Sequence, residues 1–437
     1  MSQERTPGLG PPGAGAPASG QVRPRHSRIQ TFASLKSRDF RLLLAGSVFS
    51  YMALWLQVIT LGWLVWELTK DPETGQGSAL LSGTVGGLRF FPTLVIGLWA
   101  GVIADRWDRR KLVIVFQFFL AVVAIFFAFL VASGTVQVWH VFVYASVSAV
   151  CHSIILPASQ ALIVNTVPPR DLGNAFALNA TSVTMNRLIG GLMGGLLITT
   201  VGIKWNFFVE GGAYIVMMLL LIPMRTPYRE ESTARRYSAL ADLKDGIRYI
   251  WRDNRIILHL TVLSFVLNLA FIPIPALLPA YTGEILQKEA NVGGYLIAAQ
   301  GVGGVIATFI IASLGFLTGK GKLGLISLVA GSAAILTLAQ SHWLLLSLAM
   351  MACLGIFQTS FIVSNLTLVQ TMVPDTLRGR VTSIYMLQIG LGPLAIFLIS
   401  LLMDLYTVAG ALTIVAAMSL GLSLYFLLAY RQVRQLE

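Results

Sequence analysis

Long apolar segments separated by short polar ones run along the chain from residue 42 almost to its end. A helix needs roughly 18 or more apolar residues to cross a hydrocarbon layer about 30 Å thick, and most of these segments reach that length. The pattern predicts twelve membrane-spanning helices, here called spans 1 to 12: 42–68, 79–104, 112–133, 138–164, 172–200, 205–224, 256–281, 292–317, 323–339, 343–369, 381–405 and 408–430. The first apolar segment starts too late and is too long for a cleavable signal peptide, so none is expected.

The composition supports this interpretation and excludes a soluble domain. Hydrophobic residues make up 56% of the 437 residues and charged residues only 11%, whereas about a quarter of a soluble domain is charged. The two cysteines, Cys151 and Cys353, fall inside predicted spans. We therefore expect them to be packing residues and not part of a disulfide framework.

The net charge of +12 is distributed unevenly between the two sides of the predicted bundle. If the N-terminus is cytoplasmic, 26 Lys and Arg residues lie on the cytoplasmic side, while only Lys70, Lys204 and Lys288 lie outside. This bias is the positive-inside rule, and it predicts that both termini are cytoplasmic. The basic excess therefore follows the membrane topology and does not indicate nucleic-acid binding.

Polar segments divide the chain into two halves of six spans. The predicted units are a disordered Gly/Pro-rich cytoplasmic tail (1–38), an N-terminal half (39–226), a cytoplasmic linker (227–255), a C-terminal half (256–430) and a second cytoplasmic tail (431–437). In the linker, Leu240, Leu243, Ile247 and Trp251 recur at helical spacing. This spacing predicts an amphipathic helix on the inner membrane surface.

The two halves share a short sequence repeat. At an offset of 205 residues, SQALIVNTVPPRDL (159–172) aligns with SNLTLVQTMVPDTL (364–377), at the ends of spans 4 and 10. Parallel six-helix repeats are typical of a large transporter class in which substrate binds between the halves near the membrane midplane.

A charged loop between spans 2 and 3 points to one family. The stretch GVIADRWDRRK (101–111) matches the loop signature G-x-x-x-D-R-x-x-R-[RK] of the major facilitator superfamily. The matching residues are Gly101, Asp105, Arg106, Arg109 and Arg110. Together with the sequences around spans 2, 4 and 10, it resembles the drug:proton antiporter branch, which includes enterobactin exporters and macrolide efflux proteins. The resemblance covers roughly residues 38–428 and implies an all-α fold of two six-helix pseudo-repeats.

The resemblance implies a role for the charged loop, whereas the chain differs from the family pattern in span 5. Asp105 is expected to face the start of span 11 near Arg378 and Arg380, because a helix N-terminus attracts a carboxylate. With the other signature residues it would form a conformational latch. Span 5 carries GGLMGG (190–195), where family antiporters have proline at position 191. Close helix packing is still expected there, but the indication of antiport is weaker.

Charged residues inside the spans are the first functional candidates, because such charges are rare and usually functional. They are Arg89 in span 2, Arg187 in span 5 and Glu210 in span 6. Glu210 is a candidate for proton coupling, with His152 as a weaker alternative; a static ion pair between Glu210 and Arg187 is the competing interpretation. Arg89 and Arg187 either bind an anionic substrate group or regulate the pKa of the acid, or they are fixed structural charges.

Other candidates concern gating and the substrate cavity. Three prolines in span 7, Pro273, Pro275 and Pro279, should bend or break that helix, and broken helices serve as gates or binding sites in transporters. The candidates for a cavity that suits an amphipathic solute are Tyr51, Trp55, Gln57, Asn268 and Gln300.

The sequence therefore predicts a secondary transporter that exports a hydrophobic or amphipathic small molecule, drug-like or siderophore-like, in exchange for protons by alternating access. Uptake or facilitated transport of a solute or lipid is the alternative, and a non-transporting receptor or scaffold is a different class. No enzyme, metal or cofactor site is expected. The expected partners are the substrate, protons and membrane lipids, with a monomer in a bacterial cytoplasmic membrane.

Overall fold

The computed structural model describes residues 33–88, 107–226, 255–313, 319–373 and 391–436, together with Pro92, Arg248 and Trp251. Every regular element in these ranges is helical. The α-helices are α1 Arg38–Leu68, α2 Ala79–Leu88, α3 Arg109–Ala132, α4 Val138–Thr166, α5 Leu172–Thr200, α6 Lys204–Leu221, α7 Arg255–Ala270, α8 Ile274–Ala280, α9 Ala290–Ser313, α10 Lys320–Ala339, α11 Leu344–Met372, α12 Gly392–Leu405, α13 Val408–Ala429 and α14 Arg431–Arg434. Short 3₁₀-helices cover Ala33–Lys36 and Pro169–Asp171, and a π-helical turn covers Tyr281–Ile285.

The helices agree with the predicted spans. Within the described ranges, nine helical segments are long and apolar enough to cross a membrane, one of which runs from α7 through the π-turn. Three predicted spans are outside this set. Helices α2 and α12 are shorter, since most of residues 89–104 and all of 381–390 lie outside the described residues. Helix α5 has 29 residues but is more polar, because it carries three asparagines and Arg187.

The described residues form two hydrophobic cores, one built from residues before the linker (227–255) in the sequence and one mainly from residues after it. The first is built from residues between Phe40 and Met224. The second is built mainly from residues between Ile257 and Val433, and it also includes three residues of the N-terminal half, Ile59, Trp66 and Ala79. Only Arg248 and Trp251 of the predicted linker helix are described, and both are exposed; the amphipathic helix stays a prediction.

Glycines allow the two halves to pack closely at the end of the bundle where α1 ends and α2 begins, here called the predicted outer face. A Cβ on Gly62 of α1 would lie 2.9 Å from Cγ of Pro279, and one on Gly83 of α2 would collide with the Ser400 hydroxyl of α12. Between α5 and α9, a Cβ on Gly195 would lie 2.9 Å from the Ala290 carbonyl oxygen. These contacts join the halves near the predicted outer face.

The GGLMGG stretch of α5 packs against two helices, α1 and α9. A Cβ on Gly190 would lie 2.7 Å from the Met52 carbonyl oxygen of α1, and one on Gly191 would lie 2.8 Å from Cγ2 of Ile297 on α9. The expected close helix packing is confirmed, and glycine at position 191 leaves room for α9 because it adds no side chain at this contact.

Span 7 is interrupted where its prolines predict. Helix α7 ends at Ala270, and α8 begins at Ile274 with Pro273 at its N-cap. Proline has no backbone N–H, so the helical hydrogen-bond ladder cannot continue unchanged through this stretch. The predicted break is confirmed, whereas a gating role for Pro273, Pro275 and Pro279 stays a prediction.

Hydrogen bonds and burial hold short segments at both ends of the described chain. The disordered N-terminal tail is predicted to extend to residue 38, but Ala33 and Ser34 are buried in a 3₁₀-helix and α1 begins at Arg38. The Ser34 hydroxyl donates to Asn174 Oδ1 (2.6 Å), which fixes this segment to α5. In the C-terminal tail, Val433 is buried and the Leu436 carbonyl accepts from the Gly321 N–H (3.1 Å). Hydrogen bonds and burial therefore order these short segments.

The second aspartate of the charged loop has a structural role. Asp108 is the N-cap of α3, and its Oδ1 accepts from the backbone N–H groups of Arg110 (3.0 Å) and Lys111 (3.1 Å). An aspartate just before an apolar helical run is a helix-start signal that is visible in the sequence. It satisfies N–H groups that the first helical turn leaves without partners.

Replacing Asp108 with Ala is expected to destabilise the protein by about 1 kcal/mol, because α3 loses its cap. The thermal midpoint of the detergent-solubilised protein measures this effect. Asp108→Asn keeps an acceptor oxygen and should retain most of the stability. Equal midpoints for Asp108→Ala and the wild type would contradict the capping role.

Candidate functional site

Glu210 lies in α6 and is completely buried. Its Oε1 accepts three hydrogen bonds, from Gln57 Nε2 (2.7 Å), the Tyr144 hydroxyl (2.8 Å) and the Tyr214 hydroxyl (3.1 Å). Three donors therefore converge on one oxygen of this buried carboxyl.

Three helices of the N-terminal half bring these donors together. Gln57 comes from α1, Tyr144 from α4 and Tyr214 from the next turn of α6. The Tyr144 ring stacks on Phe127 at 4.4 Å and meets the edge of Phe207 at 5.5 Å. Aromatic packing therefore holds the Tyr144 hydroxyl in position.

Tyr214 also connects the two proton-coupling candidates. Its hydroxyl lies 3.1 Å from Glu210 Oε1 and 3.5 Å from Nε2 of His152 on α4. The other ring nitrogen of His152 is 2.8 Å from the Ser148 carbonyl oxygen, which orients the imidazole. Glu210 and His152, predicted as alternatives, thus belong to one chain of polar groups through Tyr214.

Arg187 does not form the ion pair with Glu210 that was the competing interpretation. No salt bridge between these two residues is present, although both are described. Instead the Arg187 guanidinium lies 4.5 Å from the centre of the Trp55 ring, and its Nη1 donates to Gln358 Oε1 at 3.2 Å. The two intramembrane charges therefore belong to separate polar sites.

The predicted cavity residues divide between several places. Gln57 belongs to the Glu210 site, whereas Gln300 donates to Gln358 Oε1 at 3.2 Å and joins the Arg187 site. Asn268 donates within its own helix to the Ser264 carbonyl at 2.9 Å, and Tyr51 lies beside Asn179 of α5. The structure thus brings Trp55 and Gln300 together and places the others elsewhere.

The predicted latch is described only in part. Gly101, Asp105, Arg106, Arg378 and Arg380 lie outside the described residues, as does the intramembrane Arg89. Arg109 is the first residue of α3. Arg110 donates from Nη2 to the Ile222 carbonyl at 2.5 Å, at the end of α6 in its own half. This contact favours a structural role for Arg110, and the latch stays a prediction.

Sequence reasoning missed three residues of these sites: Tyr144, Tyr214 and Gln358. Tyr214 follows Glu210 by four residues, a spacing that places both on one helix face, so a signal was present. Tyr144 and Gln358 carry no comparable signal, because their partners are distant in sequence. Among the described residues, no group of three or more His, Cys, Asp or Glu side chains is arranged to hold a metal ion.

The chain matches one protein-family model and is similar in sequence to known transporters. A family model described as "Transmembrane secretion effector" matches residues 29–437. The chain is 21% identical to the staphyloferrin A transporter of Staphylococcus aureus, covering 89% of this chain and 96% of that protein. It is 26% identical to the enterobactin exporter EntS of Escherichia coli O1:K1 / APEC, covering 70% and 72%.

Solved transporter structures share the fold. The nucleoside transporter NupG superposes with a TM-score of 0.69 at 13% identity, covering 90% of this chain and 99% of that one. A POT family transporter bound to a thioalcohol-conjugated peptide gives a TM-score of 0.72 at 8% identity, covering 91% and 96%. The predicted major facilitator fold is confirmed.

Proposed function

The chain belongs to the transmembrane secretion effector family of the major facilitator superfamily, and on this basis we propose that it exports an acidic, siderophore-like small molecule in exchange for protons. Relatives along most of the chain include a staphyloferrin A transporter and an enterobactin exporter. Identities of 21% and 26% leave the substrate of this chain to be argued from its own residues, because function resides in sites and not in the fold.

The observation that carries the proton coupling is the buried Glu210 carboxyl with its three neutral donors and the Tyr214 connection to His152. A carboxyl inside a membrane protein is costly when it is charged, so such a residue is suited to bind a proton in one state and release it in another. Protonation needs a route through polar groups, and the half-buried His152, which Tyr214 connects to Glu210, would be the next group along that route.

The packing of the halves supports alternating access. In the described residues the halves are joined near the predicted outer face by glycine contacts such as Gly62–Pro279 and Gly195–Ala290. Alternating access requires two packings of the halves of similar energy, and ligand and proton binding would shift their populations.

Reconstituted protein tests this function directly. Liposomes with an acidic lumen and the trapped pH dye pyranine are mixed with enterobactin or staphyloferrin A, and the proposal expects protein-dependent alkalinisation of the lumen while substrate accumulates. Accumulation without proton movement would contradict proton coupling. Binding without flux would contradict transport and indicate a receptor.

A further inference from the structure

Four side chains from both halves meet near the middle of their helices. Arg187 and Trp55 come from α5 and α1 of the N-terminal half, while Gln300 and Gln358 come from α9 and α11 of the C-terminal half. Gln358 Oε1 accepts from Arg187 Nη1 and from Gln300 Nε2, each at 3.2 Å. We refer to these four residues as the interhalf site.

Arg187 brings a positive charge to this position. Within the described part of the chain, no carboxylate oxygen lies within 4.0 Å of its guanidinium. Trp55 covers one side of it at 4.5 Å from the ring centre, and both side chains keep part of their surface accessible. One hydrogen bond to Gln358 uses a single N–H of the five that a guanidinium offers. The site therefore retains donors for an anionic oxygen.

Gln300 adds an acceptor next to these donors. Its side chain is completely buried, and its Nε2 is engaged with Gln358. Its Oε1 is buried and has no hydrogen-bond partner among the residues that the structure describes. Buried polar atoms are almost always paired, so an unpaired one in a native site requires an explanation. A hydroxyl group of a ligand would supply the missing donor.

We propose that the interhalf site binds an acid group with an adjacent hydroxyl, such as an α-hydroxycarboxylate, on an amphipathic substrate. The acid oxygens accept from Arg187, because a guanidinium is suited to planar carboxylates. The hydroxyl donates to Gln300 Oε1, and the Trp55 indole contacts the apolar body of the substrate. This inference deepens the proposed function, on which it rests.

The site also explains how such a ligand affects the conformational equilibrium. A group held by Arg187 and Gln300 contacts both halves at once, since these residues lie on α5 and α9. A ligand shifts an equilibrium only by its differential affinity for the two states. A bridging ligand has such a difference, because moving the halves apart breaks one set of contacts.

Equilibrium binding to the purified protein in detergent tests the site. The probes are mandelate, phenylacetate, which lacks only the hydroxyl, and benzyl alcohol, which is neutral; calorimetry measures each Kd. Arg187→Gln is expected to weaken mandelate and phenylacetate about tenfold or more, the effect of losing one charge-assisted hydrogen bond, and to leave benzyl alcohol unchanged. The matched control is Arg170→Gln, whose exposed side chain is remote from the site.

Gln300→Leu tests the hydroxyl separately. It should reduce the affinity for mandelate to that for phenylacetate and leave the affinity for phenylacetate unchanged.

Equal weakening of all three probes by Arg187→Gln would indicate a structural role and overturn the inference, as would unchanged binding of the two acids. Thermal midpoints and size-exclusion profiles identify variants that fail to fold, in which case Arg187→Lys, expected to bind both acids with intermediate affinity, replaces Arg187→Gln. Because no proton gradient is present, failure here is distinguishable from failure of the proton coupling.

Discussion

Glu210→Gln is expected to reduce proton-coupled net transport by more than about tenfold, a loss of at least about 1.4 kcal/mol of coupling. Glutamine keeps the size and one acceptor oxygen, so Gln57, Tyr144 and Tyr214 can still pack around it. It cannot take up or release a proton. Exchange of substrate across the membrane without a pH gradient should therefore continue, while substrate-driven alkalinisation in the pyranine assay disappears.

The matched control is Glu67→Gln, since Glu67 is exposed and pairs with Lys70 at 2.7 Å. It should transport like the wild type. Tyr214→Phe provides an independent check: it removes the hydroxyl between Glu210 and His152 and should slow proton movement more than exchange. Full proton-coupled transport by Glu210→Gln would refute the assignment, and loss of exchange as well would assign Glu210 to packing.

Gly195→Leu is expected to prevent close packing of α5 against α9. A Cβ at this position would already lie 2.9 Å from the Ala290 carbonyl oxygen and 2.9 Å from Asn291 Cα, both backbone atoms that cannot rotate away. Overpacking of this kind costs about 1–3 kcal/mol, which shifts a conformational equilibrium by ~5–150-fold. The packed state of the predicted outer face should lose population, and transport should fall accordingly.

Spin labels at Lys70 and Lys288, both exposed at the predicted outer face, report this change as a distance distribution. The cysteines for labelling are introduced after Cys151 and Cys353 are replaced by serine. In the Gly195→Leu variant the distribution should move to longer distances. Gly212→Leu is the control, because a Cβ on Gly212 meets no heavy atom within 4 Å. If the two leucine variants give the same distribution, close α5–α9 packing does not define this state.

The Glu210 site shows where sequence reasoning succeeds and where it stops. A lone carboxylate in an apolar run is visible in the sequence, because charge in a span is rare. Two of its three donors cannot be assigned to it from the sequence, because Gln57 is 153 positions away and Tyr144 is 66 positions away along the chain. Sequence proximity also suggested Arg187 as its partner, whereas packing turns Arg187 to the opposite half, toward Gln358.

The glycines of span 5 likewise separate what the sequence predicts from what tertiary packing decides. A cluster of small residues in span 5 predicts close helix packing, and this expectation is correct. Which glycine faces which helix follows from rotation of about 100° per residue on a 3.6-residue turn, so that Gly190 faces α1 while Gly191 faces α9. The partner helices themselves are set by the tertiary arrangement.

Hydropathy along the chain was sufficient to predict the spans, because the membrane imposes length, apolarity and internal hydrogen bonding on each helix separately. The charged loop motif predicted the family, and the prolines predicted the break in span 7. These are local properties of the chain. Only the folded arrangement reveals that Glu210 and His152 share one polar chain, and that Arg187, Trp55, Gln300 and Gln358 form a site between the halves. Side-chain contacts across helices depend on rotation and crossing geometry, for which a single span carries no information.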